Sequence, residues 1–169
     1  MPIIVVMGVS GSGKSTIATL LARELGCPFK EGDAFHPPAN VEKMKSGTPL
    51  TDEDRWPWLE RIAAEIAGWR ITGGSGIVTC SALKRAYRQV LTGGEPDVTI
   101  VYLKGDRAVI EQRLKARRGH FMPVTLLDSQ FAILQEPGED ERAIAVDVGP
   151  APPAIVAEIV RRLNLEERP

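Results

Sequence analysis

Five apolar residues, Ile3 to Met7, run straight into Gly8-Val9-Ser10-Gly11-Ser12-Gly13-Lys14-Ser15. A series at helical spacing (Ile17, Leu20, Leu21, Leu25) follows at once, and Gly26 stops it. The octapeptide satisfies the G-x-x-x-x-G-K-[ST] pattern at every position. A short, continuously apolar run suits a strand buried on both faces, and the later spacing predicts a helix over Lys14 to Leu25. A strand, a glycine-rich turn and a helix in that order form a phosphate cradle. Glycines let successive backbone N–H groups turn inward, and the helix N-terminus adds partial positive charge. Lys14 is expected to reach the β- and γ-phosphates of a nucleoside triphosphate and the Ser15 hydroxyl to ligate Mg²⁺. The expected nucleotide contacts are Gly8, Ser10, Gly11, Ser12, Gly13, Lys14, Ser15 and Thr16.

The rest of the chain repeats the alternation of strand-like and helix-like segments. A short run near Phe29 leads into Glu31-Gly32-Asp33. A polar, proline-punctuated stretch from Pro37 to Leu50 contains a short helix around Val41 to Lys45. Thr51-Asp52-Glu53-Asp54 reads as a helix start with acids in its first turn. Pro57 is tolerated only near such a beginning, because a mid-helix proline costs about 3 kcal/mol. Strands are expected at Ile77–Cys80, Val98–Leu103 and Ala143–Val148. Helices are expected at Leu83–Leu91, Arg107–Arg118, Val124–Leu134 and Pro153–Leu163. Strands separated by helices require crossovers, hence a five-stranded parallel sheet with helices on both faces.

Composition sets the outer limits. The 169 residues carry 21 Lys plus Arg against 22 Asp plus Glu, a formal net charge of -1, too near neutral for a general nucleic-acid binder. A chain of this length suffices for one core, and no linker divides it, so a single domain is expected. Its two cysteines, Cys27 and Cys80, fit neither a disulfide scaffold nor a zinc-ligand spacing. The longest apolar runs are strand-sized, so no membrane span is expected. The first residues lack a basic n-region, which points to the cytoplasm. The 16 glycines and 13 prolines exceed the average share, and they gather in a few short stretches rather than spreading as in a disordered chain.

The phosphate loop does not by itself name a reaction. A switch GTPase needs N-K-x-D and D-x-x-G segments, and neither occurs. A motor ATPase ends an apolar strand in an acid, whereas Ile77 to Cys80 runs into Ser81. The free acids come earlier, at Glu31 and Asp33, where strand ends line the ligand crevice of a doubly wound sheet. An acid there can hold a Mg²⁺-bound water or accept the proton of an attacking hydroxyl. The basic cluster Arg113, Lys115, Arg117, Arg118, with Gly119 and His120, suits a lid whose cations stabilise the transferring group. Some of those cations only complement a helix end.

With these residues placed, the sequence resembles the gluconate kinases, a group of P-loop small-molecule kinases. The resemblance runs over nearly the whole chain: Met7 to Ser15, Gly32-Asp33 with His36-Pro37, Glu42-Lys43-Met44, and Pro49-Leu50 followed by Asp52, Asp54-Arg55 and Pro57-Trp58-Leu59. It continues through Cys80-Ser81-Ala82-Leu83-Lys84, Tyr87-Arg88, Tyr102-Leu103, Arg113-Leu114, Gly119-His120-Phe121, Ser129-Gln130-Phe131 and Leu134-Gln135. It implies a three-layer P-loop kinase fold with a substrate-closing insert over 37–70 and a lid over 117–125. It also implies ATP and Mg²⁺ as cofactors, D-gluconate phosphorylated at its 6-hydroxyl, and a homodimer. Glu31 stands where the family usually carries Asp, so Asp33 ranks above it.

On this reading Lys14, Asp33 and Arg117 are catalytic, Ser15 and Asp33 serve the metal, and Arg113 and Arg117 join the nucleotide contacts. A polyol carboxylate needs cations at one end and hydrogen-bonding groups along its hydroxyls. Lys84 and Arg88, four residues apart on one expected helix face, and Arg55 from the insert supply cations. His36, His120, Gln135 and Asp33 complete the expected substrate set. The three tryptophans Trp56, Trp58 and Trp69 and the thiol of Cys80 are read as packing. Gly149-Pro150-Ala151-Pro152-Pro153 is the expected adenine-side loop. Two alternatives stay open: a kinase for shikimate or a nucleoside monophosphate, and a nucleotide-binding module without turnover.

Overall fold

The computed structural model describes residues 2–116 and 124–166. Five strands, β1 (Ile3–Met7), β2 (Phe29–Glu31), β3 (Gly76–Thr79), β4 (Val98–Lys104) and β5 (Ile144–Asp147), form one parallel sheet in the order β2-β3-β1-β4-β5. Val5 of the central strand pairs with Val78 on one side and Ile100 on the other. All five β1 residues are buried, as the continuous apolar run requires.

Alternation along β1 sends its side chains to two separate cores. Ile4 and Val6 face Ile17 and Leu21 of α1 (Lys14–Leu25) and Ile155 and Ile159 of α7 (Pro152–Glu166). Ile3, Val5 and Met7 face Trp58, Leu59, Ile62 and Ile66 of α3 (Asp52–Ile71) and Tyr87 and Leu91 of α4 (Arg85–Thr92). The expected three layers are therefore present. A third, smaller cluster (Val9, Leu83, Ile110, Leu127) lies beside the phosphate loop, and α5 (Arg107–Ala116) and α6 (Val124–Ile133) contribute to it. No helix among the described residues is long and apolar enough to cross a membrane.

Local chemistry explains the element ends. Gly26 takes φ 66° and its N–H donates to the Ala22 carbonyl, closing α1 with the left-handed residue that only glycine adopts cheaply. Thr51 caps α3 through a reciprocal box: its hydroxyl accepts from Asp54 N, and the Asp54 carboxylate accepts from Thr51 N. A short helix, α2 (Pro38–Lys45), precedes it.

Pro57 falls early in α3, at its sixth position, as expected; it lacks the N–H that the Glu53 carbonyl would accept, and the buried stripe from Trp58 to Ile66 carries the helix past it. Two expectations need correction. The expected helix from Leu83 starts later, at Arg85, because Ala82 takes φ 46° and Lys84 is the extended cap. Lys84 and Arg88 consequently do not share an exposed helix face. Arg88 turns inward and is 2% exposed.

Candidate active site

The phosphate loop begins at the carboxyl end of β1. Gly13 caps α1 at φ 95°, a left-handed conformation that strains any residue with a Cβ. Its N-cap Gly13 has no side chain to bond the first turn and no acid sits in that turn, so its N–H groups and partial positive charge favour an anion. The Ser12 hydroxyl is buried and has no hydrogen-bond partner among the described residues, a polar atom that a bound phosphate could satisfy. Lys14 Nζ donates to the carbonyls of Gly8 (3.0 Å) and Val9 (3.1 Å), which holds it folded over the loop. These features fit a nucleoside triphosphate. Ser15 and Thr16, in the first turn, are exposed.

A residue that motif reading passed over clamps this loop. Gln130 of α6 accepts from Ser10 N at 2.8 Å and donates to Ser10 Oγ at 3.2 Å. Ser10, expected on the nucleotide, thus spends its backbone donor on Gln130. The Ser-Gln-Phe tract carried the only sequence signal for it.

Asp33 lies in a 3₁₀ turn (Gly32–Phe35) directly after β2, with its carboxylate 83% exposed at the carboxyl edge of the sheet. Glu31 is held differently. Its Oε2 accepts from Thr79 Oγ1 at 2.9 Å, and the same oxygen of Thr79 accepts from Gly32 N at 3.1 Å. The turn is tied to α3 as well, since Trp58 Nε1 donates to the Gly32 carbonyl at 2.8 Å. The Trp58 ring stacks on His36 with centroids 4.0 Å apart. His36 is buried, so it packs beneath the turn rather than standing open to a ligand. Burial pushes its pKa down to about 4, opposed by Asp33 and reinforced by Arg55.

Asp33 Oδ1 stands 3.9 Å from His36 Nε2. The Cys80 thiol, raised to about 12 by burial, also feels both Asp33 and Lys14. His36 feels both Asp33 and Arg55. A thiol held so high is inert, as its expected packing role requires.

A cavity of about 290 Å³ opens beside Leu50, Asp52, Arg55, Lys84, Ser129 and Ile133. Lys84 Nζ donates to both oxygens of Asp52 (3.0 and 3.3 Å). The Tyr87 hydroxyl donates to Asp52 Oδ1 and accepts from Arg55 Nη1 at 3.0 Å. Both cations stand over the Tyr87 ring, at 5.4 Å for Arg55 and 5.7 Å for Lys84. Hydrogen bonds from Tyr87 and Lys84 hold the Asp52 carboxyl below the usual carboxylate range. Two cations and a phenol thus surround the carboxylate of Asp52 at the mouth of this cavity.

The remaining expected residues fall elsewhere. The Arg88 guanidinium is consumed internally, donating to both Glu141 oxygens and to the carbonyls of Ala82 and Leu83. Gln135 Oε1 accepts from Arg85 N at 2.9 Å and so caps α4 beside Lys84. Arg113 Nη2 donates to the Val148 carbonyl at 2.6 Å, pinning the end of β5 next to the proline-rich loop. Arg117 and His120 lie outside the described residues, as do positions 117–123 of the expected lid.

Comparison with known proteins follows the same lines. A family profile described as an AAA domain matches residues 3–137. A gluconokinase of Gluconobacter oxydans is 47% identical over 164 residues, 97% of this chain and 92% of that one. A solved sugar kinase from Janibacter superposes with a TM-score of 0.92 at 48% identity, covering 97% of this chain and 95% of the other. A solved gluconokinase from Sinorhizobium meliloti gives 0.85 at 42% identity, covering 99% and 98%. The chain belongs to the AAA-domain family and, within it, to the gluconokinases.

Proposed function

We propose that this chain transfers the γ-phosphoryl group of ATP to the 6-hydroxyl of D-gluconate, giving ADP and 6-phospho-D-gluconate. The observation that carries the reading is that one edge of the sheet bears a glycine-capped phosphate loop at the end of β1, an exposed Asp33 carboxylate after β2, and a cavity lined by Lys84 and Arg55.

The nucleotide phosphates lie on the loop from Gly11 to Thr16, and Lys14 swings from the carbonyls of Gly8 and Val9 to the transferring group. Mg²⁺, when bound with the nucleotide, neutralises charge on the phosphates, and the hard oxygens of Ser15 and Asp33 suit it. The gluconate carboxylate takes the donors that Asp52 now occupies, Lys84 and Arg55. Asp33 orients the 6-hydroxyl and accepts its proton as oxygen attacks phosphorus. Arg117 stabilises the developing charge, His120 contacts substrate or phosphate, and Arg113 supports the nucleotide side. Phosphoryl transfer asks little covalent chemistry of a protein, so positioning and electrostatics supply the rate. We read 37–70 as the insert that closes over substrate and 117–125 as the lid. We assign Arg88 and Gln135 to holding α4 in place rather than to substrate. The working form is a cytoplasmic homodimer.

A coupled assay of ADP release over gluconate, other sugar acids, shikimate and nucleoside monophosphates tests this function. Release that depends on gluconate supports it. Release with shikimate or a nucleotide alone, or none with any acceptor, contradicts it.

A further inference from the structure

The side chains behind Asp33 settle which nitrogen of His36 carries its proton. Asn40, in the first turn of α2, is 3% exposed, and its Nδ2 has two neighbours. One is the Asp54 carbonyl oxygen at 2.9 Å, and the other is His36 Nδ1 at 3.2 Å. A carbonyl only accepts, so the amide nitrogen of Asn40, not its oxygen, must face Asp54. The second amide hydrogen then points at Nδ1, which has to offer a lone pair. A neutral imidazole carries one proton, and here that proton sits on Nε2. Nε2 is 3.9 Å from Asp33 Oδ1. The ring cannot readily turn away, because Trp58 stacks on it with an interplanar angle of 16°. Trp58 is itself anchored to the Gly32 carbonyl, and His36 N donates to the Asp33 carbonyl at 3.2 Å.

We propose that Asn40 and His36 are positioning residues for Asp33: Asn40 fixes His36 as the Nε2–H tautomer, and that N–H holds one Asp33 oxygen so that the other faces the acceptor hydroxyl. The inference rests on the proposed role of Asp33 as the group that accepts the hydroxyl proton. The exposed Asp33 side chain closes the remaining distance to Nε2 by a rotation of its own. The His36 N–H sets the direction of the carboxylate and does not touch the substrate.

The chain has two histidines, His36 and His120, so the full-length protein labelled with ¹⁵N-histidine gives a readable long-range ¹H–¹⁵N spectrum at pH 7.5. His36→Gln identifies the His36 signals by their loss. The expected result is a proton on Nε2 and a bare Nδ1; a proton on Nδ1 overturns the proposal. Kinetics supply the second readout. His36→Phe keeps a ring on Trp58 without an N–H, whereas His36→Gln keeps an N–H near the Nε2 position. We expect kcat to fall about tenfold in the first, with the KM for ATP within about twofold, and to recover to within about threefold of wild type in the second. No loss with Phe, or equal loss with both, overturns the proposal, and if the Phe variant does not fold, the wild-type spectrum decides. A wild-type chain that fails to phosphorylate gluconate instead overturns the proposed function and leaves the tautomer standing.

Discussion

Arg88 and Glu141, 53 residues apart, meet in a two-point ion pair with Nε–Oε1 at 2.6 Å and Nη2–Oε2 at 3.1 Å. Their side chains are 2% and 12% exposed. Burial pushes the Glu141 carboxyl up, and the hydrogen bonds from Arg88 and Gly138 N more than offset it, leaving Glu141 below its usual range. The pair fastens the turn before β5 to α4 and to the loop after β3. Removing one partner strands the other charge in the interior, which costs about 3–5 kcal/mol. Arg88→Ala should therefore lower unfolding free energy by that amount in a urea titration. Arg88→Met with Glu141→Leu should recover most of it. A stable Arg88→Ala whose only defect is a raised KM for gluconate would return Arg88 to the substrate site.

The α3 cap makes a pH-dependent contribution. The Lys43 ammonium at 2.7 Å, then the Thr51 N–H, hold the Asp54 pKa down to about 2. A carboxylate depressed in the folded state stabilises above its unfolded pKa, near 4, and that contribution is lost as pH falls toward 2. Asp54→Asn should weaken the fold at pH 7 and flatten its stability between about pH 4 and pH 2. Thr51→Ala should cost about 1 kcal/mol at pH 7. Thermal melts across the acid range check both.

Two glycines should respond in opposite directions to alanine. A Cβ on Gly32 would lie 1.7 Å from the Thr79 carbonyl oxygen, so β2 must part from β3 where Asp33 is mounted. Gly32→Ala should cost about 2 kcal/mol or more and reduce kcat with it. Gly68, exposed in α3, has nothing within 4 Å of such a Cβ. Gly68→Ala should stabilise by about 0.5–1 kcal/mol. Chemical denaturation of the two variants makes the comparison.

How far the sequence disclosed this molecule can be judged residue by residue. The strand, loop and helix from Ile3 to Leu25 were legible because period and motif are both local, and Thr51 announced α3 through its own cap. Trp58 was rightly placed between α3 and the sheet. What escaped depends on partners distant in sequence. An arginine four residues after a lysine suggests a shared cationic face, and nothing near Arg88 reveals Glu141 beneath it. His36 looked like a ligand for a hydroxyl because its burial comes from Trp58, 22 positions on. Gln130 sits in a motif of uncertain purpose until α6 folds over Ser10.

Gln130 yields a prediction specific to the nucleotide side. Gln130→Leu removes both bonds to Ser10 and changes neither Lys84 nor Arg55. At roughly 1 kcal/mol for the clamp, the KM for ATP should rise about fivefold while that for gluconate stays within about twofold. Initial-rate measurements with each substrate varied in turn separate the two. A change confined to gluconate would contradict the clamp.

The most direct test of the account is steady-state, gluconate-dependent ADP release by wild type and Asp33→Asn, with ATP affinity measured alongside. The asparagine keeps the shape of the side chain and removes its capacity to take a proton. A positioned base contributes about 10²- to 10⁴-fold. We expect a kcat lower by at least about 10²-fold with ATP binding largely intact. An unchanged kcat would contradict the role of Asp33 as the proton acceptor.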